Sequence, residues 1–503
     1  MRVGVVLVGA GAEALAYLQE HLGRWREAHV VAAATLEDAH AIARRHNWRA
    51  LVLGLFGVEP TRNPPDFDDA AHPLAWESVP LDLGDLAQAA LVLGVKTAKF
   101  TRAGIIHRAR EDAAAPIQSS RRGFLSLGQR HKGPPSTRPV LLGELCRAPQ
   151  GCRKCLDACS FDAISLQDRL PDVTDACQRC GTCTAVCPTG ALQSPMFSDE
   201  EWAGVIEGVA VSNLPARTLV LTCSHADLGN LPRGTAAERL PCVGVLGVTH
   251  LAAAAAFAPA SVAAYCPNPE TCEKAVSARR MKADLEVVSA CLARGRERLS
   301  FLEGAGLTGM DIASLAAHSA LRGPDREADG VASRPSGGPD AGGLRGSLSG
   351  QRRADFVAAL RQAYRQQVPA APQGQLFAAT VDARCTLCGA CAAVCADAAL
   401  RVKESDDALT LFFAGDRCIG CGFCVARCPE GAMRLDQAED IGDLMGGRAT
   451  PLSVSAVARC RCCHAALGSV PSVERVAALL ADDLAVADAL WYCPTCKMAR
   501  LAS

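Results

Sequence analysis

Residues 177–188 read CQRCGTCTAVCP: three cysteines two residues apart, a fourth three residues further on, and a proline directly behind it. Related runs stand at 385–395, CTLCGACAAVC, and at 418–429, CIGCGFCVARCP. Three thiols on so short a loop can wrap three corners of a tetrahedral metal–sulfur body, but the loop is too tight to supply the fourth. The separate cysteine therefore leaves its own loop and closes a body held by another one. The proline behind it fixes φ and removes a backbone N–H at the crossing point. The pattern reads as paired four-thiol sites, each pair tied together by an exchanged cysteine.

A cubane [4Fe–4S] cluster makes this demand on its protein. For 385–428 the spacing assigns Cys385, Cys388, Cys391 and Cys428 to one cluster, and Cys418, Cys421, Cys424 and Cys395 to the other. Ala396 takes the place of one proline without removing a ligand. Structural zincs or disulfides are the alternatives, and this spacing disfavours both. The block 146–187 is less regular. Cys177, Cys180 and Cys183 with Cys159 make one set; Cys152, Cys155 and Cys187 need a further ligand. The regular offset falls on Pro149, so the nearest cysteine, Cys146, is the expected ligand, the alternative being a cluster with an open corner. Ser160 replaces the first proline here.

Two further cysteine groups lie outside these blocks. At the C-terminal end, Cys460 with Cys463 and Cys493 with Cys496 form two C-x-x-C knuckles, which together suit a closed tetrahedral ion, most often zinc. A single rubredoxin-like iron or free thiols are the other readings, and Cys462 and His464 are spare candidates. In the middle, Cys223, Cys242 and Cys266 each fall at or beside the end of an expected strand, with Cys272 and Cys291 beyond. Buried cysteine as a small apolar residue explains them adequately. A bound group at the rim of a parallel sheet stays open as the second reading.

Bulk composition excludes several functions. Lys plus Arg number 52 against 53 Asp plus Glu, so no global charge favours nucleic acid or an anionic membrane. Aromatic content of 4% argues against base-stacking surfaces. The longest apolar candidate, LAAAAAFAPASVAAY (251–265), is short and broken by Pro259, which argues against a membrane span. Twenty-six cysteines grouped at metal-ligand spacings point to bound metal and a reducing cytoplasm rather than disulfides. Residues 1–14 read as a strand entering a helix rather than a cleaved signal, and SSRRGFLSLG (119–128) reads as linker rather than a twin-arginine signal.

The expected fold is multidomain α/β plus α+β. Small parallel α/β units alternate with two dicluster ferredoxin-like modules, ahead of a zinc-ribbon-like tail. Residues 1–112 form an α/β unit with a Rossmann-like start; 113–140 are linker; 141–200 hold the first cysteine module. Residues 201–322 form a second α/β domain with strands RTLVLTC (217–223), CVGVLG (242–247) and SVAAYC (261–266). Residues 323–351, rich in Gly, Ser and Pro, read as a flexible linker. Residues 352–440 hold the second module, entered by the helix RRADFVAALRQAYRQQ, and 441–503 the four-cysteine tail. A Pro- and Asp-rich loop is expected at 59–83 and a helix at LGDLAQAALVLG. Four segments, CSFDAISL, CPTGALQS, CADAALRV and CPEGAMRL, place a short strand at one offset from a remote cysteine, an internal repeat of two duplicated modules.

GAGAEA (9–14) after a strand matches a weak dinucleotide pattern, with Glu37 where a ribose-binding acid would stand. A tight strand-to-helix turn explains these glycines as well, so nucleotide or flavin is not expected. No P-loop, nucleophile elbow or paired catalytic acids appear, which leaves the chain without an evident substrate site.

The two modules resemble bacterial ferredoxins. Residues 240–272, LPCVGVLGVTHLAAAAAFAPASVAAYCPNPETC, are similar to the delta subunit of methyl-viologen-reducing hydrogenase. That resemblance implies a [2Fe–2S] cluster on Cys223, Cys242, Cys266 and Cys272, although TCSH stands where that subunit has paired cysteines. The overall order, ending in YCPTCKMARL, resembles the large iron–sulfur proteins encoded with bacterial molybdenum formate dehydrogenases. It implies a redox partner of that kind. The reading is a polyferredoxin with four [4Fe–4S] clusters. An accessory or maturation factor for a molybdenum oxidoreductase and a flavin- or nicotinamide-linked reductase subunit are the alternatives.

Overall fold

The computed structural model describes residues 3–56, 75–102, 138–304, 352–363, 376–438 and 448–501, apart from short gaps within these ranges. The linker read at 323–351, and that at 113–140 save its last three residues, lie outside the described residues. The chain divides into two compact units, residues 1–146 with 154–365, and residues 147–153 with 366–503.

The first unit opens with a parallel sheet of β1 (Val3–Val8), β2 (Ala28–Ala33), β3 (Ala50–Phe56) and β4 (Ala75–Leu81), in the order β2-β1-β3-β4. VGVVLV and ALVLGLF are buried along their whole length, as strands covered on both faces must be. Helices α1 (Ala12–Leu22), α2 (Leu36–Arg45) and α3 (Leu86–Arg102) accompany it. β4 corrects the loop expected at 59–83. AWESVPL has no alternation of its own, and its Pro80 is tolerated because, among the described residues, β4 is an edge strand paired with β3 alone.

A second parallel sheet follows the first cysteine block: β9 (Thr218–Cys223), β10 (Thr235–Leu240), β11 (Ser261–Cys266) and β12 (Leu299–Glu303), ordered β10-β9-β11-β12. Here the strand expected at CVGVLG is displaced. Residues Thr235–Leu240 form it instead, and 242–247 become a short 3-10 turn, Val243–Val245, with Cys242 at its N-terminal end. TAAERL carries a glutamate and an arginine, unusual in a buried parallel strand. Its Glu238 is wholly buried because Lys96 and Lys99 of α3 reach its carboxylate at 2.5 and 2.6 Å.

The helix Asp199–Val209 crosses α3 at backbone contact. A Cβ on Gly204 would stand 2.3 Å from the Ala98 carbonyl oxygen, and one on Gly208 2.5 Å from that of Gly94. The helix Arg352–Ala363, which the sequence joins to the second cysteine block, belongs to this first unit and buries Phe356, Val357 and Leu360 in it.

The cysteine blocks share one topology. In the first, β5 (Val140–Leu141) pairs with β8 (Leu192–Gln193) around an inner hairpin of β6 (Ile164–Gln167) and β7 (Leu170–Val173). In the second, β13 (Phe377–Val381) pairs with β16 (Met433–Gln437) around β14 (Leu400–Glu404) and β15 (Ala408–Phe413). The second hairpin then extends: β15 pairs with β17 (Thr450–Arg459), and β17 with β18 (Ala466–Ser469), so the tail continues the module's own sheet. Among the described residues no helix is long and apolar enough to cross a membrane.

Candidate cluster-binding sites

The ligand loops repeat one backbone course. The residue before each second cysteine is left-handed: Gly151 (φ 95°), Arg179 (56°), Leu387 (54°) and Gly420 (69°). The residue after it is also left-handed in three loops, at Gly181, Gly389 and Gly422, while the irregular first loop has Arg153 there. Three residues past each exchanged cysteine the same conformation returns, at Asp162, Gly190, Ala398 and Gly431. Side-chain-bearing residues hold such φ values at about 1–3 kcal/mol each, and they persist only where the surroundings over-determine them.

Three cavities gather the expected thiols. One is lined by Cys385, Cys388, Cys391 and Cys428, with Leu387, Val402, Leu411 and Met433 among its walls. A second is lined by Cys395, Cys418, Cys421 and Cys424, with Ile419, Phe413 and Phe423. A third is lined by Cys159, Cys177, Cys180 and Cys183, with Phe161, Ile164 and Val173. Each holds three thiols of one loop and the fourth from the paired loop. Cys155, Cys183 and Cys187 share a core with Leu192, and Cys146 is buried behind the turn Gly143–Leu145.

Backbone N–H groups point at the exchanged sulfurs. Ala163, Ala399 and Ala432 donate to Cys159, Cys395 and Cys428 at 3.4, 3.2 and 3.3 Å, each from four residues downstream. Arg179 N–H donates to Cys177 at 3.4 Å. Burial and then the neighbouring thiols push Cys183 far above the usual thiol range. Burial raises Cys391 to about 11, and the thiols of Cys385, Cys388 and Cys428 add to it. Burial also raises Cys424 to about 11, with Cys421 and Cys395 contributing. Such crowding in an apolar pocket is unfavourable for bare thiolates and is relieved by cationic iron. Four converging thiols, apolar walls and N–H donors to sulfur fit an iron–sulfur cluster.

In the tail, the sulfurs of Cys460, Cys463, Cys493 and Cys496 lie within 4.8 Å of one another, with Cys463 and Cys493 3.6 Å apart. Tetrahedral zinc–thiolate bonds of about 2.3 Å put sulfurs about 3.8 Å apart, so these residues could hold a metal ion. N–H donation, chiefly from Cys463 and Cys493, draws Cys460 down to about 6. The spare candidates Cys462 and His464 fall outside this set.

Cys223 and Cys266 end neighbouring parallel strands, and Cys242 follows the end of β10, so the rim of the second sheet gathers these three, with Cys272 near enough to bear on Cys266. Cys242 is raised to about 12 by burial first and by Cys180, Cys223 and Cys266 beyond that. Cys242 and Cys272 accept N–H bonds from Gly244 and Lys274, both at 3.4 Å. The turn behind Cys242 packs on the first block: a Cβ on Gly244 would lie 2.8 Å from the Cys180 carbonyl oxygen. Thr182 also bonds Ser277, 2.8 Å away. Gly11 starts α1 at the end of β1, as GAGAEA implied, but no side chain caps that helix.

Beside the first block lies a buried network that spacing did not signal. Arg352 donates to Asp199 from Nε (2.6 Å) and Nη2 (2.5 Å), and from Nη1 to the carbonyls of Thr184 and of Cys187 (2.9 Å). His250 Nδ1 accepts from the Gly247 N–H at 3.1 Å, so its Nε2 carries the hydrogen that faces Asp199 at 3.0 Å.

Residues 384–432 match the 4Fe-4S dicluster domain family, and residues 171–193 the 4Fe-4S binding domain family. No curated protein matches the chain. The chain thus carries two ferredoxin-type 4Fe-4S domains, whose chemistry is electron transfer with a redox partner.

Proposed function

We propose that the chain is a polyferredoxin with four [4Fe–4S] clusters in two modules, relaying single electrons to or from a partner oxidoreductase without a substrate site of its own. The observation that carries this reading is the trio of cavities, each lined by four thiols from a crossed pair of loops. Three clusters take Cys385, Cys388, Cys391 and Cys428; Cys395, Cys418, Cys421 and Cys424; and Cys159, Cys177, Cys180 and Cys183. The fourth takes Cys146, Cys152, Cys155 and Cys187, on spacing and on the repeated left-handed backbone at Gly151.

A zinc ion at Cys460, Cys463, Cys493 and Cys496 and a [2Fe–2S] cluster at Cys223, Cys242, Cys266 and Cys272 complete the proposed set. Thiol convergence supports the first. N–H donors to sulfur at the sheet rim support the second. The proposed compartment is a reducing cytoplasm, from cysteine usage. The proposed partner is a formate dehydrogenase-type enzyme, on the sequence resemblance alone.

Iron and acid-labile sulfide on the anaerobically purified protein test the reading. About sixteen of each belong to four cubanes, and about eighteen to a further two-iron cluster. Protein lacking reducible iron–sulfur signals sinks it. The exposed thiol of Cys462, spare beside the zinc-like tail, favours a second reading, an accessory factor that assists cofactor insertion. Deletion then leaves the partner enzyme without cofactor, whereas loss of an electron carrier leaves it loaded and active with artificial dyes.

A further inference from the structure

Three of the four turns that follow an exchanged cysteine carry an arginine on a backbone carbonyl. Arg401 Nε donates to Ala398 O at 3.1 Å, and Arg384 Nη2 to Gly431 O at 2.9 Å; both side chains are exposed. Arg352 donates to Cys187 O, and it is only 3% exposed. Water screens the first two charges, while the third acts through protein of low dielectric.

Arg352 also lies near enough to the cysteines of two different sets to be felt by both. It holds the carbonyls of Thr184 and Cys187 at the end of the helix Thr182–Val186, and the charges of both Cys187 and Cys183 bear on it. In the proposed assignment Cys187 ligates one cluster and Cys183 the other. Its counter-ion, Asp199, is engaged on the side away from these carbonyls and shared with the donors of Gln193 (2.8 Å) and His250 (3.0 Å).

We propose that Arg352 is a potential-setting residue, whose buried guanidinium holds both clusters of the first module at higher reduction potentials than those of the second, so that electrons settle on the first. This rests on the four-cluster reading above. The step is the gain of one electron by a cluster from an external one-electron donor. The cluster becomes one charge unit more negative, and no bond breaks and no proton moves. A fixed cation nearby favours the reduced form.

The test is a dithionite titration of the full chain, reconstituted anaerobically and followed by EPR. Cys391→Ala, which removes a second-module cluster, is expected to delete a signal from the lower-potential pair. Arg352→Gln is expected to keep iron and sulfide and to lower two of the four [4Fe–4S] signals. At a fixed poise their oxidised-to-reduced ratio should rise about tenfold, equivalent to about 59 mV for one electron. Arg352→Lys, which keeps the charge, is expected to stay near wild type.

Arg352→Gln with unmoved signals, a uniform shift of all four [4Fe–4S] signals, or Arg352→Lys shifting as far as the glutamine variant each overturns the proposal. If the glutamine variant fails to hold iron, the wild-type order decides: a high-potential signal lost in Cys391→Ala overturns it. A wild-type chain with no reducible cluster signal defeats the electron-transfer reading itself, and this inference with it.

Discussion

Lys99 Nζ lies 2.6 Å from Glu238 Oε1, with 6% and 1% of the two side chains exposed, and Lys96 meets the other carboxylate oxygen at 2.5 Å. One glutamate of β10 thus compensates two ammonium groups of α3, joining the two α/β sheets of the first unit through a charge cluster out of water. Glu238→Gln removes the buried carboxylate that both lysines meet. It is expected to cost about 3–5 kcal/mol of stability, measured as a drop in denaturation midpoint. A change below about 1 kcal/mol would mean that water reaches the lysines.

His250 makes the stability of the first unit pH-dependent. Burial lowers its pKa below the usual value, and the pull of Asp199 does not restore it. Burial pushes the Asp199 carboxyl up, but Arg352 and then His250 more than reverse this and hold it far below the ordinary carboxylate range. A histidine depressed on folding stays neutral in the native state while the unfolded chain takes up a proton. Stability is therefore full above the unfolded value of about 6.5 and falls as pH drops through and below it. Thermal midpoints at pH 7.5 and 5.5 should show this fall, and His250→Gln should flatten it.

Gly420 and Arg179 occupy the same left-handed position of the ligand loop, with opposite tolerance to change. A Cβ at Gly420 would stand 2.2 Å from the Phe377 ring. Gly420→Val is expected to cost the second module a cluster, seen as about four iron fewer per chain. Arg179 is exposed at φ 56°, so Arg179→Gly relieves strain of about 1 kcal/mol and should retain full iron. Equal iron in both variants would contradict the shared loop geometry.

The tail site predicts a metal separable from the clusters. Cys493→Ser should reduce zinc from about one per chain to nearly none while iron stays near wild type. Iron lost together with zinc would show instead that β17 and β18 depend on this ion to keep the second module intact.

Much of the candidate site was legible in the chain because ligand loops are local objects. C-x-x-C-x-x-C brings three sulfurs within reach over seven residues whatever surrounds them, and the constant offset to each following strand marked the repeat. Strand β10 was not legible, because TAAERL is polar and only the lysines of α3 make its burial tolerable. Nor was β4 at 75–81, whose pairing comes from β3 rather than from its own pattern.

By itself, then, the sequence determined that the two cysteine blocks carry ferredoxin-type 4Fe-4S domains and where the turns of their ligand loops fall, since geometry at short range sets both. Tertiary structure alone decided which charges lie out of water. Arg352 meets the Cys187 carbonyl across 165 residues of chain, and the same guanidinium would be an ordinary solvated cation on an exposed helix. Dielectric surroundings depend on every element packed around a group, and no local run of residues encodes them.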